Sequence, residues 1–157
     1  MKFSEFICFK ACIAKLGAET RNDAITELMD ALDKAGKLPK GKCKDITKAV
    51  IKRENEASTG MGKGVAIPHV KHPLVKEVTA TIGISNRGID FAALDEQPVY
   101  SLVLLISPEE NPDLHLQAME NIFKHLQNDR FRKFLRQCSS REQIEDLFIE
   151  ADENPSW

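Results

Sequence analysis

The spacing of apolar positions changes along the chain. Residues 12–16, Cys-Ile-Ala-Lys-Leu, read as a short early strand. Ile25, Leu28, Leu32 and Ala35 then recur at steps of three and four, one apolar stripe on a helix face. Thr20 and Asp23 precede that stripe as T-x-x-D, a start in which side chains satisfy backbone N–H groups left unpaired by the first turn. Gly36 and Pro39 mark its end. A second helix is predicted over 45–54, with Ile46, Ala49 and Val50 inward. Residues 78–84 alternate, with Val78, Ala80, Ile82 and Ile84 on one side and Thr79, Thr81 and Gly83 on the other: a strand with one buried face. Residues 99–106, VYSLVLLI, are nearly all apolar and predict a central strand buried on both faces.

Beyond Pro108, Asn111-Pro112 opens a helix as cap and first helical residue, with His115, Met119, Ile122 and Leu126 on one face. Asp129 caps an amphipathic stretch containing Phe131, Phe134 and Leu135. Ser139 with Glu142, or Ser140 with Gln143, starts a last helix. Helices alternate with strands and no repeat or low-complexity linker intervenes, so the expectation is a single α/β domain over 1–150 with a mixed sheet. Residues 151–157, ADENPSW, form a polar tail expected to fray.

Composition narrows the function classes. At 157 residues the chain can bury one core without disulfides or metals. The 22 basic and 24 acidic residues leave a net charge of −2, so no basic field exists to hold nucleic acid or an anionic bilayer surface. Cys8, Cys12, Cys43 and Cys138 form no C-x-x-C pair and read as small apolar residues or free thiols. No apolar run is long enough for a bilayer span or a secretory leader. A reduced, cytoplasmic protein without direct membrane insertion is expected.

The candidate chemistry gathers around residues 53–72. Residues 58–64, Ser-Thr-Gly-Met-Gly-Lys-Gly, form a glycine-rich loop that departs from the P-loop order. Val65-Ala66-Ile67 follows, closed by Pro68-His69. An imidazole near neutral pH keeps a free nitrogen lone pair and can act as a nucleophile, and Pro68 stiffens the approach to His69. His115, on an otherwise apolar helix face, is either a core histidine or a second imidazole for the same pocket. Arg53, at a helix end, either complements the helix dipole or offers a planar fork to phosphate oxygens. His125 reads as surface. His69, His72 and His115 are also open to a reading as metal ligands of a binding or hydrolytic protein, although no Cys or acidic residue adjoins them at a zinc spacing.

The stretch KRENEASTGMGKGVAIPH resembles the active-site signature of the mannitol, fructose and nitrogen type of enzyme IIA of the bacterial phosphotransferase system. Arg53-Glu54, Thr59-Gly60-Met61-Gly62 and Gly64-Val65-Ala66-Ile67-Pro68-His69 carry the likeness. It continues through Ile89-Asp90-Phe91, Asp95 with Pro98-Val99, His115-Leu116 and the helix start at Ser140. The resemblance implies a mixed sheet flanked by helices on both faces. It implies that His69 accepts a phosphoryl group on Nε2 from a phosphocarrier protein, without a cofactor or metal, and passes it to a IIB domain. In a nitrogen-type role, the phosphorylation state of His69 would instead control regulated proteins. It further implies that Arg53 and His115 complete the catalytic pocket. Ser58, Thr59, Gly60 and Gly62 are expected to bind phosphate from their place beside that signature. Val70, where the family has a small residue, and the additional His72 depart from the pattern and bear on the choice of partner.

Overall fold

Leu102 to Ile106 carry only apolar side chains, and a strand of that composition needs cover on both faces. The computed structural model, which describes residues 1–154 and 157, provides it. Strand β5 (Val99–Pro108) is central. On one edge β4 (Thr79–Ile89) runs antiparallel to it. On the other, β2 (Val65–Ala66) and β3 (His69–His72) run parallel, in one unbroken register: Val65 lies opposite Ser101 and His69 opposite Leu105. β1 (Gly60–Gly62) folds back antiparallel onto β2. The sheet is mixed, as expected.

Helices cover both faces. Helices α4 (Pro112–Leu126), α5 (Asp129–Gln137) and α6 (Arg141–Glu153), with the short α1 (Phe3–Phe6), bury Val103 and Leu105. Helices α2 (Arg21–Lys34) and α3 (Cys43–Glu56) bury Leu102, Leu104 and Ile106. Parity along β5 therefore decides which helix layer a side chain meets. Thr20 caps α2 through Asp23 N–H, and Asn111 caps α4 through Leu114 N–H with Pro112 at the first position. No helix among the described residues is long and apolar enough to cross a membrane.

Several expectations are corrected. Residues 12–16 form no strand. A turn of 3-10 helix at Phe9–Ala11 interrupts extension, and Ile7 and Ile13 make isolated bridges to Ala80 and Gly83. Cys8, Ile13 and Leu16 N–H groups donate to carbonyls of β4, so this segment covers an edge that would otherwise expose unpaired groups. β4 is buried on both faces over its first half: Thr79 and Thr81 face the α2/α3 layer, and a Cβ on Gly83 would lie 3.0 Å from Leu16 and Leu28 side chains. α3 extends two residues beyond 45–54 at each end. Asn128, not Asp129, caps α5, because its side chain accepts Phe131 N–H while Asp129 is already helical and pairs with Arg132. Ser140 with Gln143 starts α6.

The tail is held rather than frayed where it is described. α6 passes through buried Ala151 to Glu153, and the Asp152 carboxylate accepts the Phe3 and Ser4 N–H groups. The Trp157 ring stands edge-on to Phe131 and Phe134 with Arg130 over it. Residues 155 and 156 lie outside the described residues. His125 is buried, not at the surface: it stands edge-on to Phe3 and Phe131, and its Nδ1–H donates to Asn121 O at 2.9 Å.

Candidate functional site

The glycine-rich segment is a hairpin. Lys63 (φ 59°) and Gly64 (φ 80°) both adopt the left-handed conformation that a tight two-residue turn between β1 and β2 requires. After Ala66 the parallel strand is interrupted at Ile67-Pro68. Pro68 has no N–H to give β5, although its carbonyl still accepts Leu105 N–H at 2.9 Å. Ile67 turns the other way, its N–H reaching Thr59 O at 3.4 Å. Its carbonyl faces that same outer edge, past the end of β1.

That carbonyl is taken by the imidazole of His69, whose Nδ1 lies 2.7 Å from Ile67 O. A carbonyl can only accept, so Nδ1 carries the proton and Nε2 keeps its lone pair. His69 therefore opens β3 instead of merely following a strand. Burial lowers its pKa, the bond to Ile67 O acts in the opposite direction, and the positive charge of Arg53 lowers it further. The free nitrogen is thus unprotonated and nucleophilic at neutral pH.

His115 reaches the same place from the first turn of α4. Its ring centroid stands 5.6 Å from that of His69, with the planes tilted by 43°. Only 9% of the residue is exposed, and its Nδ1 lies 2.7 Å from Ser107 Oγ. Burial first, then the neighbouring His69 and Lys71, push its pKa down to about 4, so this ring is neutral too. Arg53, in the last turn of α3, donates from its guanidinium to Ala57 O at 2.9 Å, and its charge acts on His69. The two rings therefore share one place, and the charge of Arg53 acts there.

Of the four residues expected to bind phosphate, Ser58, Thr59 and Gly60 direct hydrogen-bonding groups at the protein itself. Ser58 Oγ donates to Phe91 O at 2.6 Å and accepts Gly60 N–H at 3.0 Å. Thr59 gives both its N–H (2.6 Å) and its hydroxyl (2.7 Å) to the Glu54 carboxylate. Gly62 (φ 91°) stands beside the Asp95 carboxylate, which accepts Lys63 N–H at 3.0 Å. An anion of the protein's own already occupies that turn. In this geometry Ser58, Thr59, Gly60 and Gly62 shape the loop between Arg53 and His69, and the two hydroxyl protons are not free for an external oxygen.

Alternation along β3 separates the other histidine. His69 and Lys71 share the α4 face, whereas Val70 packs in the α2/α3 core. His72 shares the parity of Val70, and its Nδ1 accepts Leu74 N–H at 3.1 Å. His69, His72 and His115 thus do not converge, and no group of three or more His, Cys, Asp or Glu side chains among the described residues is arranged to hold a metal. Sequence reasoning missed three residues here. Glu54 is buried and fastens Thr59. Lys71 lies opposite Ser107 in the β3–β5 register and acts on both rings. Ser107 sits beneath His115.

Comparison with known proteins follows the same contours. Residues 7–151 match the family model described as the phosphoenolpyruvate-dependent sugar phosphotransferase system, EIIA 2. The chain is 30% identical over 152 residues to a fructose-specific EIIABC component of Bacillus subtilis, covering 97% of this chain and 24% of that longer protein. It is 31% identical to a fructose-specific EIIA component of Haloferax volcanii over 85% of this chain and 86% of the relative. Among solved structures, nitrogen regulatory protein IIA-Ntr of Neisseria meningitidis superposes with a TM-score of 0.83 at 25% identity, covering 93% of this chain and 98% of that one.

Proposed function

The chain belongs to the EIIA 2 family of the phosphoenolpyruvate-dependent sugar phosphotransferase system, and from that premise we propose that His69 is its phosphoryl acceptor. The observation that carries the reading is the 2.7 Å bond from His69 Nδ1 to Ile67 O, which leaves Nε2 as the nucleophile. The donor is a phosphohistidine on the phosphocarrier protein. Its N–P bond breaks as the bond from His69 Nε2 to phosphorus forms, and the donor imidazole leaves with the electron pair.

No proton needs to leave His69, because Nδ1–H is retained and Ile67 O steadies the charge the ring gains on phosphorylation. Charge in the transition state spreads over three phosphoryl oxygens, so positioning and fixed positive charge supply most of the acceleration. Arg53 and Lys71 provide that charge, and the neutral His115 ring, its centroid 5.6 Å from that of His69, provides an N–H donor. The reverse sequence at the same nitrogen delivers the phosphoryl group to a IIB-type acceptor.

Two downstream roles share this chemistry. In one, the acceptor is a IIB domain serving uptake of a fructose- or mannitol-type sugar, supported by the two fructose-specific relatives. In the other, the phosphorylation state of His69 controls protein partners, supported by the likeness to IIA-Ntr. A phosphoryl group adds up to about two negative charges to the surface, enough to make or break an interface.

The test is a relay containing enzyme I, the phosphocarrier protein and phosphoenolpyruvate, read by intact mass. One acid-labile phosphoryl group is expected, absent in His69→Ala. An unmodified protein would overturn the acceptor role. Adding a fructose-type IIB then separates the two roles: loss of the phosphoryl group to IIB supports transport, and retention supports regulation.

A further inference from the structure

His69 and His115 are both neutral rings, so each carries one N–H, and the chemistry depends on which nitrogen holds it. For His69 a carbonyl decides. For His115 the partner is a serine hydroxyl, which can donate or accept. Burial resolves the ambiguity. Ser107 is fully buried, 0% exposed, near the end of β5, and among the described residues His115 Nδ1 is its one side-chain partner. Were Nδ1 protonated, the serine would accept, and its own proton would have no acceptor, a costly arrangement in a buried site. With Nδ1 unprotonated, Ser107 Oγ–H donates to it, the buried hydroxyl proton and the Nδ1 lone pair are both paired, and the ring proton resides on Nε2.

We infer that Ser107 is a positioning residue for phosphoryl transfer: it holds His115 in the Nε2–H tautomer, so that a donor stands beside the lone pair of His69. The two rings are then locked in opposite tautomers, one by a backbone acceptor and one by a side-chain donor. His115 in this form can donate to a phosphoryl oxygen and cannot compete as a nucleophile through Nε2. The placement follows from strand parity, since Ser107 continues the Val103–Leu105 side of β5 that faces α4, opposite Lys71 of β3. The transfer role rests on His69 being the phosphoryl acceptor; the tautomer does not.

The test uses ring nitrogens labelled with 15N, read by long-range proton–nitrogen correlation in the unphosphorylated full chain, for the protein and for Ser107→Ala and Ser107→Thr. His115 is expected as a single Nε2–H tautomer in the parent and in Ser107→Thr, and as a mixture in Ser107→Ala. Backbone correlation spectra confirm that each variant is folded. In the relay, phosphorylated Ser107→Ala is expected to lose its phosphoryl group roughly 5- to 30-fold faster, the factor for one buried hydrogen bond, with Ser107→Thr restoring the lifetime. An Nδ1–H tautomer in the parent, or an unchanged tautomer in Ser107→Ala, would overturn the inference. A chain that shows the expected tautomers but takes up no phosphoryl group would instead overturn the acceptor role of His69, leaving the account of Ser107 as a tautomer lock in place.

Discussion

Glu54 gives the sharpest test of how the loop before His69 is held. Its side chain is 1% exposed, one residue after Arg53, and its two oxygens accept the N–H and the hydroxyl of Thr59 at 2.6 and 2.7 Å. Hydrogen bonds to a charged group contribute about 1.5–3 kcal/mol each. Glu54→Ala removes both and leaves a backbone N–H unpaired, while the neighbouring Ser58–Phe91 bond still ties the loop down. A loss of about 3 kcal/mol is therefore expected. At this chain length each kcal/mol lowers Tm by about 2–4 °C, so melting should fall by about 6–12 °C. Thr59→Val removes only the hydroxyl bond and should cost about half as much as Glu54→Ala. In a double-mutant cycle the two changes should be strongly non-additive, because they share a partner. Differential scanning calorimetry gives the Tm values and urea melts give the free energies. Glu54 also raises the pKa of His69, so the alanine variant should show a lower His69 pKa in an NMR titration. Melting within about 2 °C of the parent, or additive effects of the two substitutions, would refute the claim that Glu54 fastens the loop.

Three other outcomes are open to measurement. Gly60→Ala would place a Cβ 2.7 Å from Ala93 Cβ and 2.9 Å from Ala93 Cα, so the 90–94 segment must move; a loss of about 1–3 kcal/mol in urea melts is expected. The unfolded chain protonates His115 near 6.5 while the folded chain resists until about 4, so stability should be full above pH 6.5 and decline toward pH 4. With part of the ring in contact with water, a contribution on the order of 2 kcal/mol is expected, visible as a falling urea midpoint that flattens in His115→Gln. Lys71→Met removes a cation that depresses both rings, so the pKa values of His69 and His115 should both rise in the same NMR titration.

How much of this was legible depends on the range of the interactions involved. The Thr20 and Asn111 caps act within four residues and were readable, as was the double burial of β5 from its run of apolar side chains. Strand 12–16 failed because its apolar residues serve an edge of β4 more than sixty residues away, reached by single bridges. The outer face of β4 failed because Thr79, Thr81 and Gly83 look polar or small, yet threonine packs well on a sheet and Gly83 makes room for Leu16 and Leu28. Within the site, Arg53, His69 and His115 were singled out through the likeness to a known family. Ser58 and Thr59 lay close in sequence but direct their protons at Phe91 and Glu54. Ser107 lies just past the apolar run 99–106 and drew no reading from the sequence. Its role requires knowing both the parity of β5 and where α4 crosses it, which no local pattern records.

The carbonyl of Ile67 has an implication for how this centre tolerates change. On the proposal that His69 is the phosphoryl acceptor, the group that decides which of its nitrogens reacts belongs to the main chain, and substitution at position 67 cannot delete it. The side chain there can vary with the demands of the core while the reactive nitrogen stays the same. His115 is the weaker half of the pair, since a one-atom change at Ser107 removes its lock. Random mutation should therefore erode the lifetime and rate of phosphoryl transfer through His115 well before it scrambles which atom carries the phosphoryl group. A designer moving this centre to another sheet would need the interrupted strand first and the second histidine only afterwards.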